Sequence, residues 1–184
     1  MTDTIEIPGY KVGNWTVDPS HSEVSFSVRH MLISKVRGKF EKFDATFVTA
    51  PNPLDTTVSA TAEVASVNTN DENRDGHLRT NDFFDAPTHP TLSFVSIGVR
   101  EEGGDYKIDG DLTIKGVTKP VTFDFEFGGF GTDPYGNYKA GFSAKAEVDR
   151  NEFGVNWNAA LETGGVLVGD KVTITIEVQA VLQP

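Results

Sequence analysis

Apolar and polar residues alternate with a period of two along most of this chain, the pattern of strands that bury one face. In "SEVSFSVRH", Val24, Phe26, Val28 and then His30 share one face, while Ser25, Ser27 and Arg29 share the other. The run "VRGKFEKFDATF" starts with Val36, Gly38 and Phe40 in phase, slips near Glu41–Lys42, and resumes with Phe43, Ala45 and Phe47. Such a slip predicts a β-bulge or a strand bend. Further on, Val58, Ala60, Ala62 and Val64 fall together, as do Leu92 and Phe94. In the second half the pattern aligns Ile108, Gly110 and Leu112, then Val121, Phe123, Phe125 and Phe127. Two more runs follow, one with Ala140, Phe142, Ala144 and Ala146, the other with Val172, Ile174, Ile176 and Val178. The stretches "EEGGD", "KGVTKP", "GGFGTDPYGN" and "GGVLVGD" punctuate these runs as turns.

About eight single-faced strands joined by short turns predict an all-β, antiparallel sheet with one polar face. A sheet of that size removes its edges by closing on itself. A two-sheet sandwich produces nearly the same alternation. Small residues on the apolar face, among them Gly38, Ala60, Ala62, Gly110, Ala140 and Ala144, favour an eight-stranded barrel with room inside. Residues 1–12 are polar and broken by Pro8 and Gly9, a flexible tail, and residues 13–184 form one domain.

One stretch departs from the strand pattern. In "NRDGHLRTNDFFDAPTHPTLSF" and just before it, residues 70–81 carry a helical signature. Asn70 is placed to cap it, Asp71 and Glu72 suit the positive end of its dipole, and Pro87 and Pro90 bar continuation. Laid across a barrel end, this insert would turn Asp71, Glu72, Arg74, Asp75 and Arg79 to water. Leu78, Phe83 and Phe84 would face the interior as a stopper, since paired phenylalanines are seldom left wet.

Composition narrows the chemistry. The net charge is −11, from 16 basic and 27 acidic residues, which argues against a nucleic-acid surface. It argues equally against docking on anionic lipid through charge alone. The absence of cysteine excludes disulfides, thiolate nucleophiles and cysteine-bound metals. No basic-then-apolar leader and no spanning apolar run is visible, so a soluble cytoplasmic protein is expected.

Four segments together resemble the YceI family of lipocalin-like polyisoprenoid-binding proteins: "WTVDPSHSEVSFSVRHMLISKVRGKF", the insert quoted above, "GDLTIKGVTKPVTF" and "VDRNEFGVNW". The resemblance runs from about Trp15 to Val181. It implies a lipocalin-like antiparallel barrel with a long apolar channel for an isoprenoid chain or similar lipid, and pairing as a homodimer. Many relatives carry an export signal; none is visible in this chain.

The candidate channel residues follow from the alternation. They are Phe26, Val28 and His30, then Phe40, then Val58 and Ala60, with Phe83 and Phe84 from the insert and Leu92 and Phe94 from the strand after it. The second half adds Ile108 and Leu112, Phe123 and Phe125, Phe142 and Ala144, and Ile174 and Ile176. Lined cavities and packed interiors share this signature, and the resemblance favours the cavity. Eight-residue strands span roughly 26 Å, room for several isoprene units. His21, His30, His77 and His89 match no zinc spacing, so no metal is expected. Arg150 is placed to meet a carboxylate near the barrel's end or, alternatively, a lipid headgroup. No nucleophile–base pair stands out, because the "SHS" at Ser20–Ser22 suits a turn better than a triad.

The expected function is binding, storage or transport of an isoprenoid-type lipid, a polyprenyl chain or an isoprenoid quinone, without catalysis or cofactor. Transient membrane contact for lipid exchange is expected, and no nucleic acid. The alternatives are a small enzyme working on a hydrophobic substrate in the same cavity, or a filled barrel acting as an interaction module.

Overall fold

The computed structural model describes residues 7–31, 33–159, 161 and 167–184. Among them, eight strands close into an antiparallel barrel. In ring order these are β1 (Gly13–Val17), β4 (Phe43–Thr49), β5 (Thr57–Glu63), β7 (Thr91–Glu102), β8 (Asp105–Ile114), β9 (Val117–Thr132), β10 (Tyr138–Asp149) and β11 (Val168–Leu182). Closure comes from β1, which pairs with β4 on one edge and with β11 on the other. Three further strands, β2 (Glu23–His30), β3 (Ser34–Phe40) and β6 (Val67–Asn68), branch from β11.

The branch arises because β11 serves two partners along one edge. Its end, Ala180–Leu182, pairs with β1, while Val168–Glu177 pair with β2. Between β1 and β2 the chain makes a 3-10 turn at Pro19–His21, capped by the Asp18 carboxylate, which accepts the Ser20 N–H at 3.1 Å. β3 and β4 are likewise one strand bent at Glu41–Lys42, the site of the phase slip. The bend is held by Glu41 N–H donating to Ser66 O (3.1 Å) and Lys42 N–H donating to Ser66 Oγ (3.0 Å). The two bends carry β2 and β3 away from the ring, and β3 pairs with β6 only at Lys39–Phe40.

The opening left between β3 and β5 is closed by residues 64–90, with α1 (Glu72–Leu78) at their centre. Phe40, Ala62 and Val67 form a small core there, against which Leu78 and Phe84 pack. The helix is shorter than the predicted 70–81 and its cap is Asp71, not Asn70. Asp71 Oδ1 accepts the N–H groups of Asn73 (3.0 Å) and Arg74 (3.1 Å), whereas Asn70 sits in left-handed backbone, φ 64°, one residue too early.

The other half of the barrel is filled by rings. Phe47 and Phe142 stack at 4.7 Å, Phe125 lies against Phe142 at 5.8 Å, and Trp15 is fully buried with its Nε1–H donated to Thr49 Oγ1 at 2.9 Å. Residues 9–11, inside the predicted tail, lie against this half: Tyr10 meets Phe127 and Phe130 edge-on, and Lys11 Nζ sits 3.8 Å over the Tyr138 ring. The β9–β10 turn is narrower than predicted. β9 continues to Thr132, and Asp133 Oδ1 closes the loop by accepting the N–H groups of Tyr135 and Asn137, both at 2.9 Å. Of the predicted "GGVLVGD" turn, residues 164–166 lie outside the described residues, and residues 168–170 already belong to β11.

Two of the small inward residues do not leave room. A Cβ on Gly38 would lie 2.5 Å from the Phe26 ring, and one on Gly110 would lie 2.4 Å from the Phe94 ring. These glycines let a neighbouring strand's phenylalanine lie flat across the backbone. The space comes from the alanines.

Candidate functional site

A cavity of about 150 Å³ occupies the β2–β3 half of the barrel. Its walls are the inner faces of β2, β3, β4, β5 and β7, parts of β8 to β11, and the insert. Among the described residues, five of those lining it are polar: Ser25, Asp44, Thr61, Ser93 and Arg150. The first four fall between inward-pointing neighbours on their strands, so alternation turns their side chains outward and offers the cavity only backbone. A smaller void of about 40 Å³ lies in the ring-filled half. Phe94 and Phe123, in edge contact at 4.9 Å, border both.

Of the predicted channel residues, Phe26, Val28, Phe40, Ala60, Phe83 and Phe84 line the larger cavity, and so do Leu92, Phe94, Leu112, Phe123, Ile174 and Ile176. Val58, Ile108, Phe125, Phe142 and Ala144 border only the smaller void. The hollow therefore does not run the full strand length: the Phe47, Phe125 and Phe142 rings fill the axis where the predicted channel would continue. His30, half-buried at the end of β2, borders neither void.

Four cavity residues lie in a stretch not predicted to line it. After β10 a 3-10 turn, Arg150–Phe153, ends at Gly154 in left-handed backbone (φ 73°) and brings Phe153 and Val155 onto the wall; Val168 opens β11. The signal for Arg150, Phe153 and Val155 was the run "VDRNEFGVNW", whose spaced apolar residues are too few to show a period.

Among the described residues Arg150 is the one side-chain charge at the wall, and it is buried. No carboxylate among the described residues meets it, contrary to the expectation. Its guanidinium donates instead to four backbone carbonyls: Nε to Gly169 (2.8 Å), Nη1 to Val155 (2.7 Å) and Trp157 (2.9 Å), and Nη2 to Val168 (3.3 Å). Burial lowers its pKa, with the charges of Asp170 and Asp149 working the other way. Arg150 thus ties the two ends of the segment between β10 and β11 together, a fork that a point-like ammonium could not reproduce.

The insert turns Leu78, Phe83 and Phe84 onto the cavity wall. Phe83 also meets Trp157 at 5.4 Å. Its charges are not all outward, as expected of them. Asp75 is only 6% exposed, and its Oδ1 accepts the Thr69 N–H (2.9 Å) and hydroxyl (2.6 Å). Arg74 donates to Thr69 Oγ1 (2.8 Å) and O (2.7 Å), and Arg79 to Ala65 O (3.1 Å). These groups pin the helix to the chain that precedes it.

The histidines stay apart. His21 bonds Asp18 at 2.9 Å, His77 bonds Asp82 at 2.8 Å, and the position of His89 against Gly116 belongs to the β8–β9 turn. Among the described residues no three potential ligands cluster around a metal position.

An eight-stranded antiparallel barrel with a one-sided apolar hollow, walled in part by a short helical insert, defines the class. The chain belongs to the YceI-like domain family, whose sequence model matches residues 15–180. A UPF0312 protein of Staphylococcus aureus (strain USA300) is 40% identical over 162 residues, covering 86% of this chain and 92% of that protein. Among solved structures, BcnA of Burkholderia cenocepacia superposes with a TM-score of 0.77 at 28% identity, over 89% of this chain and 98% of that one. A polyisoprenoid binding domain from Saccharophagus degradans, implicated in plant cell wall breakdown, shares the fold at a TM-score of 0.66 and 12% identity, over 94% of this chain and all of that one.

Proposed function

We propose that this protein binds an isoprenoid-type lipid, a polyprenyl chain or isoprenoid quinone, and stores or carries it with the hydrocarbon inside the barrel. The observation that carries this reading is the cavity of about 150 Å³, whose single inward charge is already committed to four carbonyls. Among the described residues such a surface has no side-chain polar group left to direct a reaction or orient a polar substrate. It suits a guest whose affinity comes from apolar area removed from water, roughly 25 cal/mol per Å². Family membership and the polyisoprenoid-binding relative of the same fold support it.

Size sets the mode of binding. A hollow of about 150 Å³ accepts a guest on the scale of a benzene ring, and ligand pockets commonly start near ~300 Å³. A prenyl chain fills the hollow with its end and gains length by turning the Phe94 and Phe123 rings, which joins the two voids along the axis. Ring rotation in a half-filled barrel costs less than parting strands.

Organic extraction of the purified protein followed by mass spectrometry tests the reading. Release of a prenyl lipid in near-stoichiometric amount is the expected result. Protein that yields none, and that also fails to take up an added isoprenoid quinone, would sink it.

A further inference from the structure

The β2–β3 hairpin differs from the rest of the molecule in charge and in what it exposes. Between Val24 and Phe40 there is no acidic residue, while Arg29, Lys35, Arg37 and Lys39 fall within eleven positions of a chain whose net charge is −11. All four are exposed. They share the outer face: Arg29 lies directly opposite Lys35, Ser27 opposite Arg37 and Ser25 opposite Lys39. Like charges set directly across a strand pair repel. Among the described residues none of the four forms an ion pair. The facing stretch of β11 adds Thr173 and Thr175, with the acid Asp170 and the base Lys171 at its start and Glu177 at its far end, opposite Glu23 and away from the hairpin tip.

The tip of the same hairpin is apolar. Ile33 is 82% exposed and Met31 40%. The tip also stands at the hollow end of the barrel: Val28 and Val168 line the cavity, His30 pairs with Val168, and Met31 N–H donates to Leu167 O at 2.8 Å. An apolar point backed by a stripe of unpaired cations matches an anionic bilayer surface, where side chains such as Ile33 enter the acyl boundary and cations meet headgroups.

We infer that the β2–β3 hairpin, with Met31 and Ile33 at its tip and Arg29, Lys35, Arg37 and Lys39 behind it, is a membrane-docking element that sets the cavity end of the barrel against an anionic lipid bilayer. The acidic remainder of the surface is repelled by the same bilayer, so the charge asymmetry orients the molecule as well as attaching it. Docking serves the lipid-carrier reading by bringing the hollow to where lipid is exchanged, and rests on it for purpose only.

Co-sedimentation of the full chain with vesicles tests this, comparing phosphatidylcholine alone with an equal mixture of phosphatidylcholine and phosphatidylglycerol, at low and high salt. Binding to the mixed vesicles, weakened by salt, is expected. Ile33→Asp should weaken it about tenfold or more, and Lys35→Glu with Arg37→Glu on the order of a hundredfold. Ile97→Asp, which alters an equally bare residue (71% exposed) on β7, should leave binding unchanged. Unaltered circular dichroism and melting keep folding out of the comparison. Absent binding, or binding indifferent to Ile33→Asp and the double charge reversal, overturns the inference; the cations then serve only to keep the open edge of β3 from pairing with another chain. The vesicles contain no isoprenoid. Vesicle binding by protein that neither releases a prenyl lipid nor takes up an added isoprenoid quinone would therefore sink the carrier reading alone, and prenyl lipid without vesicle binding the docking inference alone.

Discussion

The two halves of this barrel are made from the same alternating strands and end in opposite states. In the half closed by β1, the rings of Trp15, Phe47, Phe125 and Phe142 meet on the axis and leave about 40 Å³. In the half built on β2 and β3, the valines and isoleucines of β2 and β11 face the alanines of β4 and β5 across about 150 Å³. Strand number alone does not decide whether a small barrel is packed or hollow; the side-chain volume delivered to each level does. The second difference is closure. Hydrogen bonding runs all the way round the first half, whereas the second is completed by an insert held through Thr69, Asp75 and Phe84.

The contrast can be broken most severely in the packed half. Phe142→Ala removes a ring in contact with Phe47, Phe125 and Trp15, and should cost about 3–5 kcal/mol of unfolding free energy in urea titrations. Phe26→Ala, facing the hollow, should cost clearly less; equal losses would mean that the cavity side is as tightly packed as the ring side.

Next in size is the tie at the cavity wall. Arg150→Met leaves four carbonyls without their donor, and a loss of about 2–3 kcal/mol is expected. Arg150→Lys should recover little of it, because one ammonium cannot replace the fork.

Added volume sharpens the comparison. Ala140→Leu, in the buried packed half, should destabilise by about 1–3 kcal/mol. Ala60→Leu projects into the hollow and should stay within about 1 kcal/mol of the parent while lowering prenyl-lipid uptake. Thermal melting of the pair reads the difference directly.

The smallest effect lies at the joint between the halves. Asp18 accepts hydrogen bonds from Ser20, with His21 and Lys139 close by, and these hold its carboxyl well below the usual carboxylate range. A depressed folded-state pKa contributes stability that is present above the unfolded value of about 3.9 and lost as pH falls below it toward the folded value. Asp18→Asn keeps the turn cap, should cost under about 1 kcal/mol at neutral pH, and should flatten the acid limb of the stability profile. An unchanged acid limb would mean that Asp18 is not held by these partners.

Much of the ring was legible in the chain because alternation is local: each strand shows its buried face within eight residues, and the slip at Glu41–Lys42 marked the bend. The cavity wall was legible to the same extent, through Phe26, Val28, Ala60, Leu92 and Ile174. Other features depend on what a neighbouring segment brings alongside. Gly38 and Gly110 look like spare room until Phe26 and Phe94 lie across them. Asp75 looks like a wet helix residue until Thr69 folds over it, and Arg150 looks like half of an ion pair until the start of β11 supplies carbonyls. Phe125 and Phe142 differ from Phe40 and Phe123 in no local way, yet one pair fills the axis and the other borders the hollow.

Period and composition by themselves determined an antiparallel one-sided sheet, the position of the bend at Glu41–Lys42 and of the insert, and the acidic surface. Those follow from steric and solvation preferences that act between near neighbours. Only the tertiary structure decided where the barrel is empty, what Arg150 holds, and which end of the hollow carries the basic hairpin, because each depends on groups that different strands and turns bring together outside any local period.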